Sequence, residues 1–244
     1  MSLRASCLVF LAIFPWVAAC SSQATDGPAT VPPKLKSTAP EVAHTPPATA
    51  DGPRDGRARI IFLGDSLTAG LGLDVKDSFP SLIEERLQRA GHDFDVVNAG
   101  VSGDTSAGGL RRLDWALAEG KPKILIVALG GNDGLRGLPP EQLEANLAAI
   151  IERGQKNGLT VILAGMEAPP NFGADYTAAF RAVYPRLAKR YNVGLIPFLL
   201  DGVAGNPALN QADGIHPNRR GAVVVAELVW KSLEPAVLEA RDSR

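Results

Sequence analysis

Cysteine is nearly absent from this chain, and its absence closes several chemistries at the outset. Of 244 residues only two are cysteine, Cys7 and Cys20, both within the first twenty positions. The rest of the chain cannot be held by a disulfide, even in an oxidising compartment, and it offers neither a thiol nucleophile nor a thiolate metal site. Histidine is scarce as well, with only His44, His92 and His216, so no zinc centre is expected and no cofactor is implied. A basic excess is also missing: 25 Lys and Arg against 26 Asp and Glu leave a net charge of −1. Nucleic acid as a partner would need a clustered positive surface, and nothing here suggests one. No apolar run reaches the length of a bilayer span; that from Leu8 to Ala19 is short and broken at Pro15.

What the chain does have begins with that short run. It follows Met1-Ser2-Leu3-Arg4 and ends at Val17-Ala18-Ala19-Cys20, the layout of a secretory signal. Val17 to Cys20 resembles a bacterial lipobox, in which the cysteine is lipidated and becomes the mature amino terminus. Ser21, where an aspartate is absent, resembles lipoproteins sorted to an outer membrane. Residues 1–19 are therefore expected to be a lipoprotein-type signal peptide and Cys20 a membrane anchor on the periplasmic side, with ordinary cleavage near the same point as the alternative. Residues 20–58 are rich in Pro, Thr and Ala and almost free of large apolar side chains, as befits a tether. Such a segment spans about 35 Å as a random coil and about 115 Å in polyproline II. Residues 59–244 remain as one folded domain, expected to act as a monomer.

Within that domain apolar runs alternate with amphipathic stretches. Strands are predicted at Ile60–Leu63, Phe94–Asn98, Ile124–Leu129, Val161–Ala164 and Val193–Phe198. Helices are predicted near 78–90, 106–119, from Pro139-Pro140-Glu141 to just before Gly158, near 174–190 and near 219–239. Prolines at helix starts and glycine or asparagine past helix ends support these limits. Five strand-helix units with nearly continuous apolar strands imply a five-stranded parallel sheet covered on both faces, a three-layer α/β/α sandwich. No internal repeat is present.

In open parallel sheets ligands bind beyond the carboxyl ends of the strands, and polar residues collect in those loops. Ser66 follows the first strand, Gly103 the second, Asn132 the third, and Asp213 with His216 the last. Of the three histidines, His44 falls in the tether and His92 at the opposite edge of the sheet, which leaves His216 as the base for Ser66. Asp213, three residues earlier, can accept from one ring nitrogen while the other faces the serine. Pro217 is expected to fix the start of the last helix. Taken singly each element has a bland reading. Asp65-Ser66 could be a helix cap, Gly130-Gly131-Asn132-Asp133 a tight turn, and Gly103-Asp104-Thr105 a capped loop. Their coincidence at one sheet edge points to nucleophilic acyl chemistry. Asp65 and Asp133 are each expected to brace their own turns.

These residues resemble the GDSL or SGNH hydrolases, named for Ser, Gly, Asn and His in four sequence blocks. The likeness runs from about Arg59 to Leu238. It is strongest to the periplasmic thioesterase, lysophospholipase and arylesterase group, through Gly64-Asp65-Ser66-Leu67-Thr68-Ala69-Gly70, Ser102-Gly103-Asp104-Thr105 and Leu129 to Gly137. The resemblance implies a flavodoxin-like sandwich, a Ser66–His216–Asp213 triad, and an oxyanion hole built from the Ser66 and Gly103 N–H groups and the Asn132 amide. The implied substrate is a small acyl ester or a lysophospholipid. Leu71, Leu73, Leu135, Leu138, Met166, Pro169, Pro170 and Phe172 are candidates to line its pocket. Deacetylation of, or acyl transfer to, envelope polysaccharide is the alternative chemistry, and a non-catalytic envelope-binding lipoprotein the alternative of another class.

Overall fold

A computed structural model describes residues 56–118 and 120–242. The expected signal peptide, Cys20, His44 and the tether as far as residue 55 lie outside the described residues. From Ala58 the backbone runs β1 (Ala58–Gly64), α1 (Ser66–Ala69), α2 (Phe79–Arg89), β2 (Phe94–Gly100), α3 (Ser106–Leu117), β3 (Lys121–Ala128), α4 (Gly131–Leu135) and α5 (Pro140–Lys156). It continues through β4 (Thr160–Ala164), α6 (Ala174–Tyr191), β5 (Gly194–Ile196) and α7 (Arg219–Asp242). All five strands are parallel, in the order β2-β1-β3-β4-β5. This is the flavodoxin-like order, in which chain direction across the sheet reverses beside β1 and opens a crevice between the carboxyl ends of β1 and β3.

The apolar runs explain why the sheet is central. Ile60 to Leu63 and Ile124 to Ala128 are all fully buried, and each large side chain so buried contributes about 1.5–3 kcal/mol. The amphipathic helices cover both faces. α2 and α7 pack together on one side, while α5 lies between α3 and α6 on the other. Phe62 and Phe79 meet edge to face at 5.6 Å, fastening α2 to β1.

Four local features depart from the sequence expectation. The turns after β1 and β3 close into α1 and α4, whose four and five residues are too few to show a helical period. β5 stops at Ile196: the Gly165 N–H still donates to the Ile196 carbonyl at 2.8 Å, but the Gly165 carbonyl accepts from Leu199 at 2.9 Å, one residue past the parallel register. The start of α7 is set by Asn218 rather than Pro217: its Oδ1 accepts the N–H groups of Arg220 at 2.9 Å and Gly221 at 3.1 Å. α7 also runs on to Asp242.

Candidate active site

The loop after β1 is held tightly against the sheet. Gly64 and Gly100 are paired across β1 and β2, and both lack the side chain that would collide with α1. A Cβ on Gly64 would run into Thr68, and one on Gly100 into the backbone of Ala69. Asp65 caps α1, accepting the Leu67 N–H at 3.0 Å, so Ser66 is presented at the carboxyl end of β1 with little freedom.

Its partner arrives from the other end of the sheet. Between β5 and α7 the chain folds into a loop closed by an antiparallel bridge between Asn210 and Pro217 and by a 2.8 Å bond from the Gln211 N–H to the His216 carbonyl. The Gln211 amide donates to the carbonyls of Leu71 at 2.7 Å and Pro217 at 3.0 Å. One side chain thereby ties the histidine loop to the loop that follows Ser66. His216 Nε2 lies 2.8 Å from Ser66 Oγ, and Nδ1 lies 2.7 Å from Asp213 Oδ2. Asp213 Oδ1 accepts the N–H groups of Ile215 at 2.9 Å and His216 at 3.0 Å. An ionised carboxylate only accepts, so Nδ1 carries the proton and Nε2 is left to receive one from the serine. Although its side chain is 44 % exposed, Asp213 is held down to about 2, chiefly by the backbone N–H of His216, then by that of Ile215 and by the imidazole.

Asn132 is the second residue of α4. Its Nδ2 donates to the Asp104 carbonyl at 3.0 Å and to Asp65 Oδ2 at 3.3 Å, two acceptors that fix which end of the amide faces the nucleophile's turn. Gly103 adopts φ = 83°, a backbone state that glycine enters without strain, and its carbonyl accepts from Arg136 Nη2 at 2.9 Å. Asp65 is 1 % exposed. Burial pushes its carboxyl up to about 6, against the opposing pull of the Leu67 N–H, the Asn132 amide and His216.

The structure brings Ser66, Asp213 and His216 within hydrogen-bonding reach, with Gly103 on the turn after β2 and Asn132 in the short helix after β3. His92 is remote, its ring 6.4 Å from that of Trp230 on α7. Asp65 braces its own turn as expected, but Asp133 does not. Asp133 instead reaches the start of α3, accepting the Ser106 N–H at 2.8 Å and the Ser106 hydroxyl at 2.5 Å. Asn146 Nδ2 donates to the same hydroxyl oxygen at 2.9 Å.

A cleft beside Ser66 and His216 is walled by Leu71 and Leu73, together with Phe79, Leu199, Leu200 and Val225. Leu135, Leu138, Met166, Pro169, Pro170 and Phe172 are not among its walls. Met166 is buried in the core, while Leu135 and Phe172 are exposed. The cleft opens between the starts of α2 and α7, where the segment after β5 folds back, and not over the loops that follow β3 and β4. Leu199 and Leu200 could have been suspected, since they too follow a strand at the carboxyl edge. Among the described residues no group of three or more His, Cys, Asp or Glu is placed to hold a metal ion. No described helix is long and apolar enough to cross a membrane.

Comparison with known proteins agrees with this architecture. The sequence profile of the GDSL-like lipase/acylhydrolase family matches residues 62–224. Esterase TesA of Pseudomonas aeruginosa is 46 % identical over 176 residues, 72 % of this chain and 88 % of that protein. Thioesterase 1/protease 1/lysophospholipase L1 of Escherichia coli strain K12 is 40 % identical over 178 residues, 73 % of this chain and 84 % of that protein. A crystal structure of TesA superposes with a TM-score of 0.70 at 45 % identity, covering 74 % of this chain and 99 % of the other.

Proposed function

Because this chain belongs to the GDSL-like lipase/acylhydrolase family and is an esterase, we propose that it cleaves carboxylic esters and thioesters through an acyl-enzyme on Ser66. The observation that carries this reading is the continuous relay of 2.8 Å and 2.7 Å from Ser66 Oγ through His216 to Asp213. As Ser66 Oγ bonds to the acyl carbon, its proton passes to Nε2 and the carbonyl electron pair moves onto oxygen. Asp213 stabilises the resulting imidazolium without taking its proton. The oxyanion is met by the backbone N–H groups of Ser66 and Gly103 and by the Asn132 amide, whose longer 3.3 Å bond to Asp65 yields to it. Collapse breaks the bond to the alcohol or thiol, which leaves with the proton from Nε2. Water then repeats the attack and frees Ser66.

Substrates of the proposed enzyme are small acyl esters, aryl esters, lysophospholipids and acyl thioesters, whose acyl carbonyl would sit at Ser66 beside the apolar cleft walled by Leu71, Leu73, Phe79, Leu199, Leu200 and Val225. The protein is proposed to be exported and held by a lipid at Cys20, with the segment between Cys20 and the start of the folded domain at β1 as tether. Fatty-acid labelling that persisted in Cys20→Ser would overturn that anchor. The enzymatic reading is tested with p-nitrophenyl esters from acetate to palmitate and a serine-directed phosphonate. Turnover and labelling should both vanish in Ser66→Ala. Ester turnover by that variant at the wild-type rate would refute the assignment of the nucleophile.

A further inference from the structure

We infer that Arg112 is a positioning residue for the oxyanion site, an inference that rests on the serine mechanism proposed above. Arg112 lies in the middle of α3 with its side chain 17 % exposed, and all three guanidinium nitrogens are committed. Nη2 donates to the Gly64 carbonyl at 2.7 Å, Nη1 to the Ala99 carbonyl at 2.7 Å, and Nε to Asp104 Oδ2 at 2.6 Å.

Those three acceptors lie on the segments that carry the reacting groups. Gly64 ends β1 two residues before Ser66. Ala99 lies near the end of β2, at the head of the turn that holds Gly103. Asp104 directly follows Gly103, and its backbone carbonyl is the 3.0 Å acceptor for the Asn132 amide. The Gly64 carbonyl also accepts the Val101 N–H at 3.0 Å, and the Val101 carbonyl the Asp104 N–H at 3.1 Å. A single planar cation thus joins the nucleophile's strand, the glycine turn and, through residue 104, the asparagine. A fork with donors fixed in three directions can do this, whereas a lysine ammonium is a point charge on a flexible stem. Gly108 contributes space: a Cβ there would collide with the Asp104 carboxylate, so the Arg112–Asp104 pair depends on that glycine.

Arg112 touches no reacting atom in this arrangement. It acts by setting where the Gly103 N–H and the Asn132 amide point, and small displacements of such groups are felt mainly in the transition state. The test uses the full-length protein with every rate normalised by phosphonate titration of Ser66, so that unfolded molecules are not counted. Arg112→Lys should lower kcat about 10- to 100-fold with KM changed by less than about threefold. Asp104→Asn should reproduce the direction of that loss, and it supplies the reading if Arg112→Lys does not fold. In an Asn132→Ala background the Arg112→Lys loss should shrink to a few-fold at most, because one of the groups it positions is already gone. An unchanged kcat in a folded Arg112→Lys, an Asp104→Asn without loss, or losses that multiply in full with Asn132→Ala would each overturn the inference. Activity surviving in Ser66→Ala would instead remove the mechanism on which it rests.

Discussion

Two carboxylates flank the serine and histidine, and they differ in every physical respect. Asp213 is 44 % exposed and is held at about 2, whereas Asp65 is 1 % exposed and is pushed to about 6. Burial alone would single out the wrong one as the partner of the base. Asp213 is ionised at any working pH because two backbone N–H groups and the imidazole satisfy it where it stands, and water at its back adds nothing that must be removed. Asp65 carries the desolvation penalty of a closed site, relieved by the Leu67 N–H and the Asn132 amide. One acid holds the proton on Nδ1 so that Nε2 faces the serine as an acceptor; the other spends its lone pairs holding a turn and an amide.

The sharpest way to break this contrast is to neutralise the exposed member. Asp213→Asn retains the shape and one acceptor but removes the charge that fixes the Nδ1 proton. It should lower kcat by roughly 10⁴-fold, as loss of the acid does in other Ser-His-Asp enzymes. Because the side chain is half in water, its melting temperature should stay close to that of the wild type. A calorimetric scan and a p-nitrophenyl acetate assay on one preparation decide it. A large fall in stability with little fall in kcat would reverse the roles given to the two carboxylates.

On the buried side the lever is the amide that Asp65 holds. Asn132→Ala should cost about 10²- to 10³-fold in kcat, the usual loss for one oxyanion donor. It should also raise the Asp65 pKa further, since the amide is one of the groups that lower it. The carboxyl stretch in difference infrared spectra between pH 5 and 8 reports that shift, and steady-state kinetics the first effect. Near-normal turnover would take Asn132 out of the oxyanion site.

The contrast also marks the limit of what the sequence discloses. Strand cores such as Ile60–Leu63, the Asp213–His216 spacing and the isolation of His216 among three histidines are local or countable, so they are legible. Neighbours created by folding are not. Asp133 was expected to brace its own turn, yet its partner Ser106 is 27 residues away. Arg112 reads as one more charge on an amphipathic helix until α3 is laid across the ends of β1 and β2. The cleft walls Leu199, Leu200 and Val225 depend on the fold-back after β5, which no hydrophobic period encodes. A proline just past a strand, such as Pro197, is visible, but the path taken afterwards is not.

The smallest effect is the most specific to the comparison, because the two acids act on stability in different pH windows. For Asp65 the folded value of about 6 lies above the ordinary aspartate value of 3.8. The folded state therefore binds more protons between those values, and stability falls as pH rises from about 4 to about 6. For Asp213 the folded value of about 2 lies below the ordinary aspartate value of 3.8, so the pH dependence it brings is confined to the range below about 4, and being exposed it brings little. Subtracting the urea-unfolding profile of Asp65→Asn from that of the wild type cancels the other titrating groups. The difference should fall by about 1–3 kcal/mol across pH 4 to 6.5, whereas the same subtraction with Asp213→Asn should be flat there. A flat Asp65 difference would mean that the carboxyl is not desolvated in solution as its burial beneath Ser66 requires, and the comparison between the two acids would lose its physical basis.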